Sequence, residues 1–282
     1  MSNDELLQRK KHILYIVTIV LNQERQVINM SNKSERLNMA KEHTKLMTDK
    51  YFDQISSSVQ NTEIYDNKVP LPSNLTIRSL NDCEPIRVVP YDTVSALFKY
   101  GSGTTTVLNF ASFRHPGGGY ISGAVAQEEA LCTESFLYNV LVKFQNSFYA
   151  ENNSFRCNSM YKNRALYSPK ILFQKEQQQF SCDVLTCAAP NRSGTNVSAE
   201  ENTRVLDSRI KFVLDIALAH DPDVLILGAF GCGVFGQDPA QVASVFKKYL
   251  TATDLSYHFK KVIFAIPDSR NSNFSVFKSI FD

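Results

Sequence analysis

A pair of adjacent glutamates near a run of three glycines is the feature of this sequence best suited to chemistry. Glu128 and Glu129 follow Gln127, and seven residues separate Gln127 from the run Gly117–Gly119. Adjacent carboxyl groups can divide the work between a general acid and a group that binds the reacting molecule. Glycines expose successive backbone N–H groups that can surround an anion. The same glutamates could instead only stabilise the first turn of a helix, where acidic side chains are favourable.

A second glycine-rich loop lies later in the chain. The hydrophobic run Val224–Leu227 leads into four glycines in residues 228–236, and Pro239 marks the start of a helix. A strand, a glycine loop and a helix N-terminus in this order form a site for phosphate groups. We therefore expect the two loops to hold a diphosphate, so that a side chain added at Gly118 or Gly231 would intrude on its path.

The second loop also matches the spacing of a dinucleotide-binding fingerprint, Gly231-x-Gly233-x-x-Gly236. In that motif an acidic residue about 20 positions further on binds a ribose. Asp254 is the only acidic residue beside that position, so a nicotinamide-dependent dehydrogenase is poorly supported. A tight turn that binds no ligand is the other alternative for either loop.

Short apolar runs that alternate with helical patterns surround the two loops. The runs predict five strands, and the segments between them predict three helices. The predicted strands are Ile86–Val89, Thr106–Phe110, Val184–Ala188, Val224–Leu227 and Val262–Ile266, and the predicted helices are Glu129–Phe144, Thr203–His220 and Pro239–Tyr249. This alternation predicts an α/β fold in which helices sandwich a mixed, largely parallel sheet. Ligands bind such sheets at the carboxyl ends of strands, which is where both glycine loops begin.

The first 80 residues predict a helical extension followed by a connector. In residues 34–54, apolar side chains recur at spacings of three and four and predict one helix face. The stretch Asn61–Pro85 contains three prolines and several turn formers, and residues 145–180 lack a regular pattern. We therefore divide the chain into an extension with its connector, residues 1–80, and a catalytic domain, residues 81–282.

Composition and charge exclude several functional classes. The 282 residues carry 30 basic and 28 acidic side chains, so the basic footprint of a dedicated duplex-binding protein is missing. Six cysteines without a CxxC pair and five histidines argue against a zinc site and a disulfide framework. The apolar run Ile13–Leu21 is too short to span a bilayer. We expect a cytoplasmic protein with free thiols and no metal, no cofactor and no membrane attachment.

Several further segments accompany the two loops in an order that is typical of one family. These segments, within residues 86–268, are Leu108-NFAS, Ala130-LC, Ser135-FLY, Tyr167-SP, Thr186-CAAPN and Gly228-AFGCGVFGQDP. Together with the spacing from Gly117–Gly119 to Gln127-Glu128-Glu129, they resemble the microbial-type poly(ADP-ribose) glycohydrolases. That family has a macrodomain fold with an N-terminal helical extension. The chain departs from the usual family pattern at Ser112 and Gln237, where asparagine is common, and at Thr133, where arginine is common.

The resemblance implies hydrolysis of the ribose–ribose O-glycosidic bond of poly(ADP-ribose), with release of ADP-ribose. It assigns the general acid to Glu129 and places Glu128 on the hydroxyl groups of the distal ribose. Asn109 would hydrogen-bond that ribose, Phe235 would pack on it, and the glycine loops would hold the diphosphate. The full set of substrate-binding residues that it implies is Asn109, Ala111, Gly117, Gly118, Gly119, Gln127, Gly231, Cys232, Gly233, Val234 and Phe235.

Two other functions stay open from the sequence. A hydrolase that removes single ADP-ribose groups from protein or nucleic acid could use the same glutamates, whereas a macrodomain that only binds ADP-ribose would not need them. The expected partners are ADP-ribose, its polymer or an ADP-ribosylated macromolecule, bound by a monomer.

Two opposite effects act on the pKa of the assigned general acid. A helix N-terminus lowers the pKa of a carboxyl group, but an acid that works near neutrality needs a raised one. We expect a neighbouring carboxylate and a buried, anionic ligand to supply the increase in the complex.

Overall fold

A computed structural model describes residues 33–73, 75, 77–155, 158–252, 255–269 and 272–282. The apolar run Ile13–Leu21 and Cys157 lie outside these residues. Within them, no helix combines the length and the apolar character needed to cross a bilayer.

Strands and helices alternate along most of the described chain. The strands are β1 (Glu63–Asp66), β2 (Arg87–Val89), β3 (Thr105–Phe110), β4 (Arg164–Lys175), β5 (Gln178–Cys187), β6 (Val224–Leu227) and β7 (Lys261–Ala265). The α-helices are α1 (Lys33–Lys50), α2 (Phe52–Gln60), α3 (Thr93–Tyr100), α4 (Gln127–Thr133), α5 (Leu137–Leu141), α6 (Ala150–Ser154), α7 (Ala199–His220), α8 (Pro239–Ala252) and α9 (Asn273–Phe281).

All seven strands join one sheet in the order β1-β4-β5-β3-β6-β7-β2. The five strands from β5 to β2 are parallel to their neighbours, and β4 and β1 add an antiparallel edge. Every residue of β6 is buried, as is typical of parallel strands that helices cover on both faces. The predicted α/β fold with a mixed, largely parallel sheet between helices is therefore confirmed.

Two strands were not predicted because their sequences lack a continuous strand pattern. The interpretation of residues 61–85 as a connector is wrong for β1, whose four residues are held by pairing with β4. The irregular pattern of residues 145–180 hides β4, because an irregularity between Ser168 and Ile171, with Lys170 at a φ of 56°, interrupts the alternation. Pairing with β5 stabilises this strand where local sequence does not.

The predicted helix Glu129–Phe144 is broken in the structure. Helix α4 ends at Thr133, and Ser135 then forms an isolated bridge with Phe173 of β4. The Ser135 hydroxyl donates to the carbonyl of Leu131, 2.7 Å away, and so satisfies a carbonyl near the end of the helix. Sheet contacts therefore override the continuous helical pattern.

Two hydrophobic clusters hold the helices on the sheet, one for each face. In β3, Val107 belongs to the cluster that includes Met47 of α1, and Leu108 belongs to the cluster that includes Phe246 of α8. Helix α1 thus packs in the same hydrophobic core as the sheet, and β1 is a strand of that sheet. The division of the chain near residue 80 stays a prediction.

The carboxyl ends of β3, β5 and β6 meet at one edge of the sheet. Strand β3 lies between the other two, and beyond its end the N–H of Ala111 donates to the carbonyl of Cys187, 3.1 Å away. The loops that follow these three strands are therefore neighbours, which places the acidic pair and both glycine loops around one space.

Candidate active site

The glycine loops after β3 and β6 line a cavity of about 730 Å³. Ten of the predicted site residues lie in its walls. They are Ala111, Gly118, Gly119, Gln127, Glu128, Glu129, Gly231, Gly233, Val234 and Phe235. Three predicted residues, Asn109, Gly117 and Cys232, lie behind this lining.

Glu128 is buried and both of its carboxyl oxygens accept hydrogen bonds from the protein. The N–H of Ser112 donates to Oε2 over 2.7 Å, and Nδ2 of Asn109 donates to Oε1 over 3.2 Å. Asn109 is itself fully buried and also donates to Oγ1 of Thr186. The amide of Asn109 therefore holds Glu128 in the free protein, in addition to the contact with ribose that the resemblance implies.

Glu129 is held from one side only. Its Oε1 accepts a hydrogen bond of 2.7 Å from the N–H of Gly119. Its Oε2 is buried and has no hydrogen-bond partner within the described part of the chain. One oxygen thus fixes the side chain and the other is left to interact with a bound molecule.

Burial raises the pKa of Glu128 from 4.5 to about 8, and the negative charge of Glu129 adds to this effect. The hydrogen bonds from Ser112 and Asn109 oppose it, because they stabilise the ionised form. Glu128 therefore favours its protonated form near neutral pH in the free protein. The increase in pKa that we expect for the general acid in the complex stays a prediction.

Gly118 is required for a reason other than the predicted one. Its φ is 58°, and a Cβ at this position would lie 2.7 Å from Oε1 of Glu129 and 2.8 Å from Oε2 of Glu128. The two carboxyl groups therefore lie side by side against the glycine backbone. A side chain at Gly118 would displace them, whereas the sequence predicted a clash with phosphate.

Backbone groups of the Gly117–Gly119 run are mostly used inside the protein. The N–H of Gly118 donates to the carbonyl of His115, and the N–H of Gly119 donates to Glu129. This loop thus shapes and holds the acidic pair. That its N–H groups bind a diphosphate stays a prediction.

Four N–H groups of the second glycine loop are not used inside the described part of the protein. Within the described residues, the N–H groups of Gly231, Gly233, Val234 and Phe235 donate to no protein acceptor. These four donors belong to cavity-lining residues, which is the arrangement that binds phosphate oxygens without charged side chains.

The fold of this loop explains why Gly231 is needed. Its φ is 78°, and a Cβ would lie 2.7 Å from the Cβ of Ala189 and 3.0 Å from Cγ of Gln237. Nε2 of Gln237 donates to the carbonyl of Pro190 over 2.8 Å and so ties this loop to the loop that follows β5. A side chain at Gly231 would therefore clash with Ala189 and Gln237. As at Gly118, the glycine is required by contacts within the protein, whereas the sequence predicted a clash with phosphate.

A cluster of aromatic rings supports Phe235. The ring of Tyr161 stacks on Phe113 with centroids 4.5 Å apart and meets Phe235 edge-on at 6.1 Å. Tyr161 has a φ of 58°, which is rare for a bulky residue, and its carbonyl accepts a hydrogen bond from the buried guanidinium of Arg209. Neither Tyr161 nor Arg209 was identified from sequence, because each acts through tertiary contacts.

Two of the predicted substrate-binding residues, Gln127 and Cys232, make contacts that stabilise the protein itself. Oε1 of Gln127 accepts from the N–H of Phe110 and its Nε2 donates to the carbonyl of Leu108, which fixes the start of α4 to the end of β3. Cys232 packs against the hydrophobic cluster of α8, and burial raises the pKa of its thiol to about 12. Within the described residues, no group of three or more His, Cys, Asp or Glu side chains could hold a metal ion.

Twelve other cavity-lining residues were not among the site residues predicted from the sequence. They are Phe110, Ser112, His115, Pro116, Ile121, Ser122, Ala126, Tyr138, Val142, Gln145, Ala189 and Ala229. Most are neighbours of predicted residues, so taking the whole segments 110–129 and 229–235 would have found them. Tyr138 and Gln145 come from the segment after α4, where the break in the helix brings them back to the cavity.

Comparisons with known proteins agree with this geometry. The family model described as microbial-type PARG, catalytic domain, matches residues 18–176. A crystal structure of poly(ADP-ribose) glycohydrolase from Thermomonospora curvata is 30% identical, with a TM-score of 0.76, and the match covers 88% of this chain and all of that chain. The Deinococcus radiodurans enzyme in complex with ADP-ribose is 28% identical, with a TM-score of 0.67, over 81% of this chain and 97% of that chain. No curated protein sequence matches the chain.

Three glycine-to-alanine variants separate backbone strain from displacement of the carboxyl groups. Gly118→Ala should lose stability from its left-handed backbone, about 1–2 kcal/mol, and should also lose turnover because its Cβ displaces both glutamates. Gly194→Ala has the same backbone strain, at a φ of 69°, but no atom within 4 Å of its Cβ. It should therefore lose stability and keep turnover.

Gly233→Ala completes the series, because its Cβ also meets nothing within 4 Å and its φ is not left-handed. It should keep the wild-type free energy of unfolding, measured by urea denaturation. Wild-type turnover in Gly118→Ala would contradict the position that we give to the carboxyl pair.

The raised pKa of Glu128 predicts a pH-dependent loss of stability. Between pH 4.5 and about 8 the unfolded chain ionises this group while the folded protein keeps it protonated. The folded state then binds more protons, so the free energy of unfolding falls as pH rises through this window. Glu128→Gln removes the titration, and its stability relative to wild type should increase from about pH 5 to about pH 8. A constant difference between the two proteins, measured by urea denaturation, would show that the carboxyl group is ionised throughout.

Proposed function

Because the chain belongs to the microbial-type poly(ADP-ribose) glycohydrolase family, we propose that it hydrolyses the ribose–ribose O-glycosidic bond of poly(ADP-ribose) and releases ADP-ribose. One observation carries the proposal most strongly. The carboxyl groups of Glu128 and Glu129 lie side by side in the wall of the cavity that is also lined by Gly231, Gly233, Val234 and Phe235.

The chemistry requires a proton for the oxygen that leaves the anomeric carbon. Cleavage proceeds through a transition state with positive charge on the sugar ring, and protonation of the leaving oxygen lowers its energy. The raised pKa of Glu128 keeps a proton on that carboxyl group near neutrality, beside the carboxyl group of Glu129. We assign donation of the proton to Glu129, because Oε2 of that residue has no partner within the described protein.

The second half of the reaction uses the same carboxyl group in reverse. Once Glu129 has donated its proton, its carboxylate can accept one from the attacking water. Glu128 holds the hydroxyl groups of the distal ribose in this scheme, with Asn109 keeping it in place. The negative charge of the Glu129 carboxylate, once its proton has been donated, also stabilises the positive sugar ring.

Binding of the diphosphate falls mainly to the second glycine loop. The four N–H groups of Gly231, Gly233, Val234 and Phe235 offer donors to phosphate oxygens without a basic side chain. This accords with a chain whose formal net charge is only +2. The ring of Phe235, supported by Tyr161, would pack on the distal ribose and orient its anomeric carbon toward Glu129.

Other parts of the sequence-based interpretation remain proposals of the same kind. Gly117–Gly119 would contribute to the diphosphate site only with N–H groups that the acidic pair leaves available, and Ala111 and Gln127 would contact substrate from the cavity wall. A cytoplasmic location, a monomeric state and independence of metal ions also remain predictions.

The proposed function predicts which substrates yield product. Incubation with purified poly(ADP-ribose) should release free ADP-ribose, detected by liquid chromatography. Parallel incubations with protein and nucleic acid that carry single ADP-ribose groups test the alternative hydrolase, and a chelator in each reaction tests the independence of metal. Release from the single-group substrates alone would assign the site to that alternative. If the protein binds ADP-ribose but releases none from any substrate, it is a macrodomain that only binds ADP-ribose.

A further inference from the structure

Helix α1 lies against the loop that holds Glu129. A Cβ at Gly123, whose φ is 73°, would lie 2.7 Å from the carbonyl oxygen of Lys33 and 3.2 Å from Cβ of Arg36. The loop backbone and the first turn of α1 are therefore in direct contact. Nε of Arg36 donates to the carbonyl of Gly123 over 2.8 Å and fixes this contact.

A second set of bonds joins the same loop to the middle of the helix. The buried hydroxyl of Tyr120 donates to the carbonyl of Ala40 over 3.1 Å and lies 2.9 Å from Nδ1 of His43. The two rings also meet edge-on, with centroids 6.4 Å apart. The Ala40 carbonyl already accepts a bond from Thr44 within the helix, so its bond to Tyr120 is an additional one.

The loop between these contacts is a short, closed turn. The N–H groups of Ser122 and Ala124 both donate to the carbonyl of Gly119, and the N–H of Gly123 donates to the carbonyl of Tyr120. A displacement of Tyr120 or Gly123 therefore moves Gly119 as well. Within the described residues, the N–H of Gly119 is the only hydrogen-bond donor to the carboxyl group of Glu129.

We propose that Arg36, His43 and Tyr120 are positioning residues for catalysis, through which helix α1 of the N-terminal extension fixes the Gly119 N–H on Glu129. The inference rests on the proposed function, in which Glu129 is the general acid. It gives the extension a role in turnover beyond its apolar contribution to the core through Ala40 and Met47.

Single substitutions test this role without removing the helix. Tyr120→Phe keeps the ring but loses both bonds of the hydroxyl, and Arg36→Met keeps the aliphatic stem but loses the bond to Gly123. Each should lower kcat on the polymer by about 10-fold or more, approaching the 100-fold that a 1 Å misplacement can cost. The Kd of ADP-ribose should stay within about twofold of wild type, because the Gly231–Phe235 loop is untouched.

A third variant and a control test whether the loss of kcat comes from the contact between His43 and Tyr120. His43→Leu should lower kcat less than Tyr120→Phe, and the double variant should lose no more than Tyr120→Phe alone, because the two residues share one contact. Lys45→Gln changes an exposed residue of the same helix and should behave as wild type. A general loosening of the fold would instead weaken ADP-ribose binding and lower kcat together.

Hydrogen exchange of the Gly119 amide gives a readout that does not depend on activity. In protein labelled with ¹⁵N-glycine, Tyr120→Phe and Arg36→Met should speed exchange at Gly119 and leave Gly228 unchanged. Folded variants with wild-type kcat and wild-type exchange at Gly119 would overturn the inference. If the wild-type protein released no ADP-ribose from the polymer, the proposed function would be wrong, and exchange at Gly119 alone would decide whether α1 braces the loop.

Discussion

The hydrogen bond from the Gly119 N–H to Oε1 of Glu129 is the interaction on which the candidate site depends. It requires a turn that brings backbone to carboxylate at 2.7 Å, and this turn is possible because Gly118 adopts a left-handed conformation without a side chain. Gln127 fixes the start of α4 to the end of β3, so the acidic side chains point back at the loop. The glycine run and the acidic pair are therefore one structural unit, and their spacing in the sequence reflects this contact.

Burial of the acidic pair makes the site able to hold a proton near neutral pH, and it also lowers the stability of the folded protein there. A carboxyl group in the interior favours its protonated form, which raises the pKa of Glu128 and keeps a proton available where a glycosidic oxygen would need it. The second glycine loop has the complementary role in the proposal: four of its N–H groups donate to no protein acceptor within the described residues and would bind the phosphates that the carboxylates would repel. In this proposal a nearly neutral protein recognises an anionic polymer through backbone N–H groups of residues that line the same cavity as the acidic pair.

The sequence predicted those parts of the molecule that local pattern determines. Strand β6 and the glycine loop after it follow from an apolar run that ends at Gly228, and Glu128 and Glu129 follow from their distance to the glycine run. Strand β4 was missed because its pairing with β5, rather than its own alternation, stabilises it. The support of Phe235 by Tyr161 was missed because no local pattern reports a contact between distant loops.

The central claim is that Glu129 delivers the proton to the leaving oxygen, and Glu129→Gln tests it most directly. Glutamine can still accept the bond from Gly119 but has no acidic proton to give. Turnover on poly(ADP-ribose) should fall by about 10²–10⁴-fold, the usual effect of losing a general acid, while the variant still binds ADP-ribose with the wild-type Kd in calorimetry. A Glu129→Gln protein that releases ADP-ribose at the wild-type rate would contradict the account.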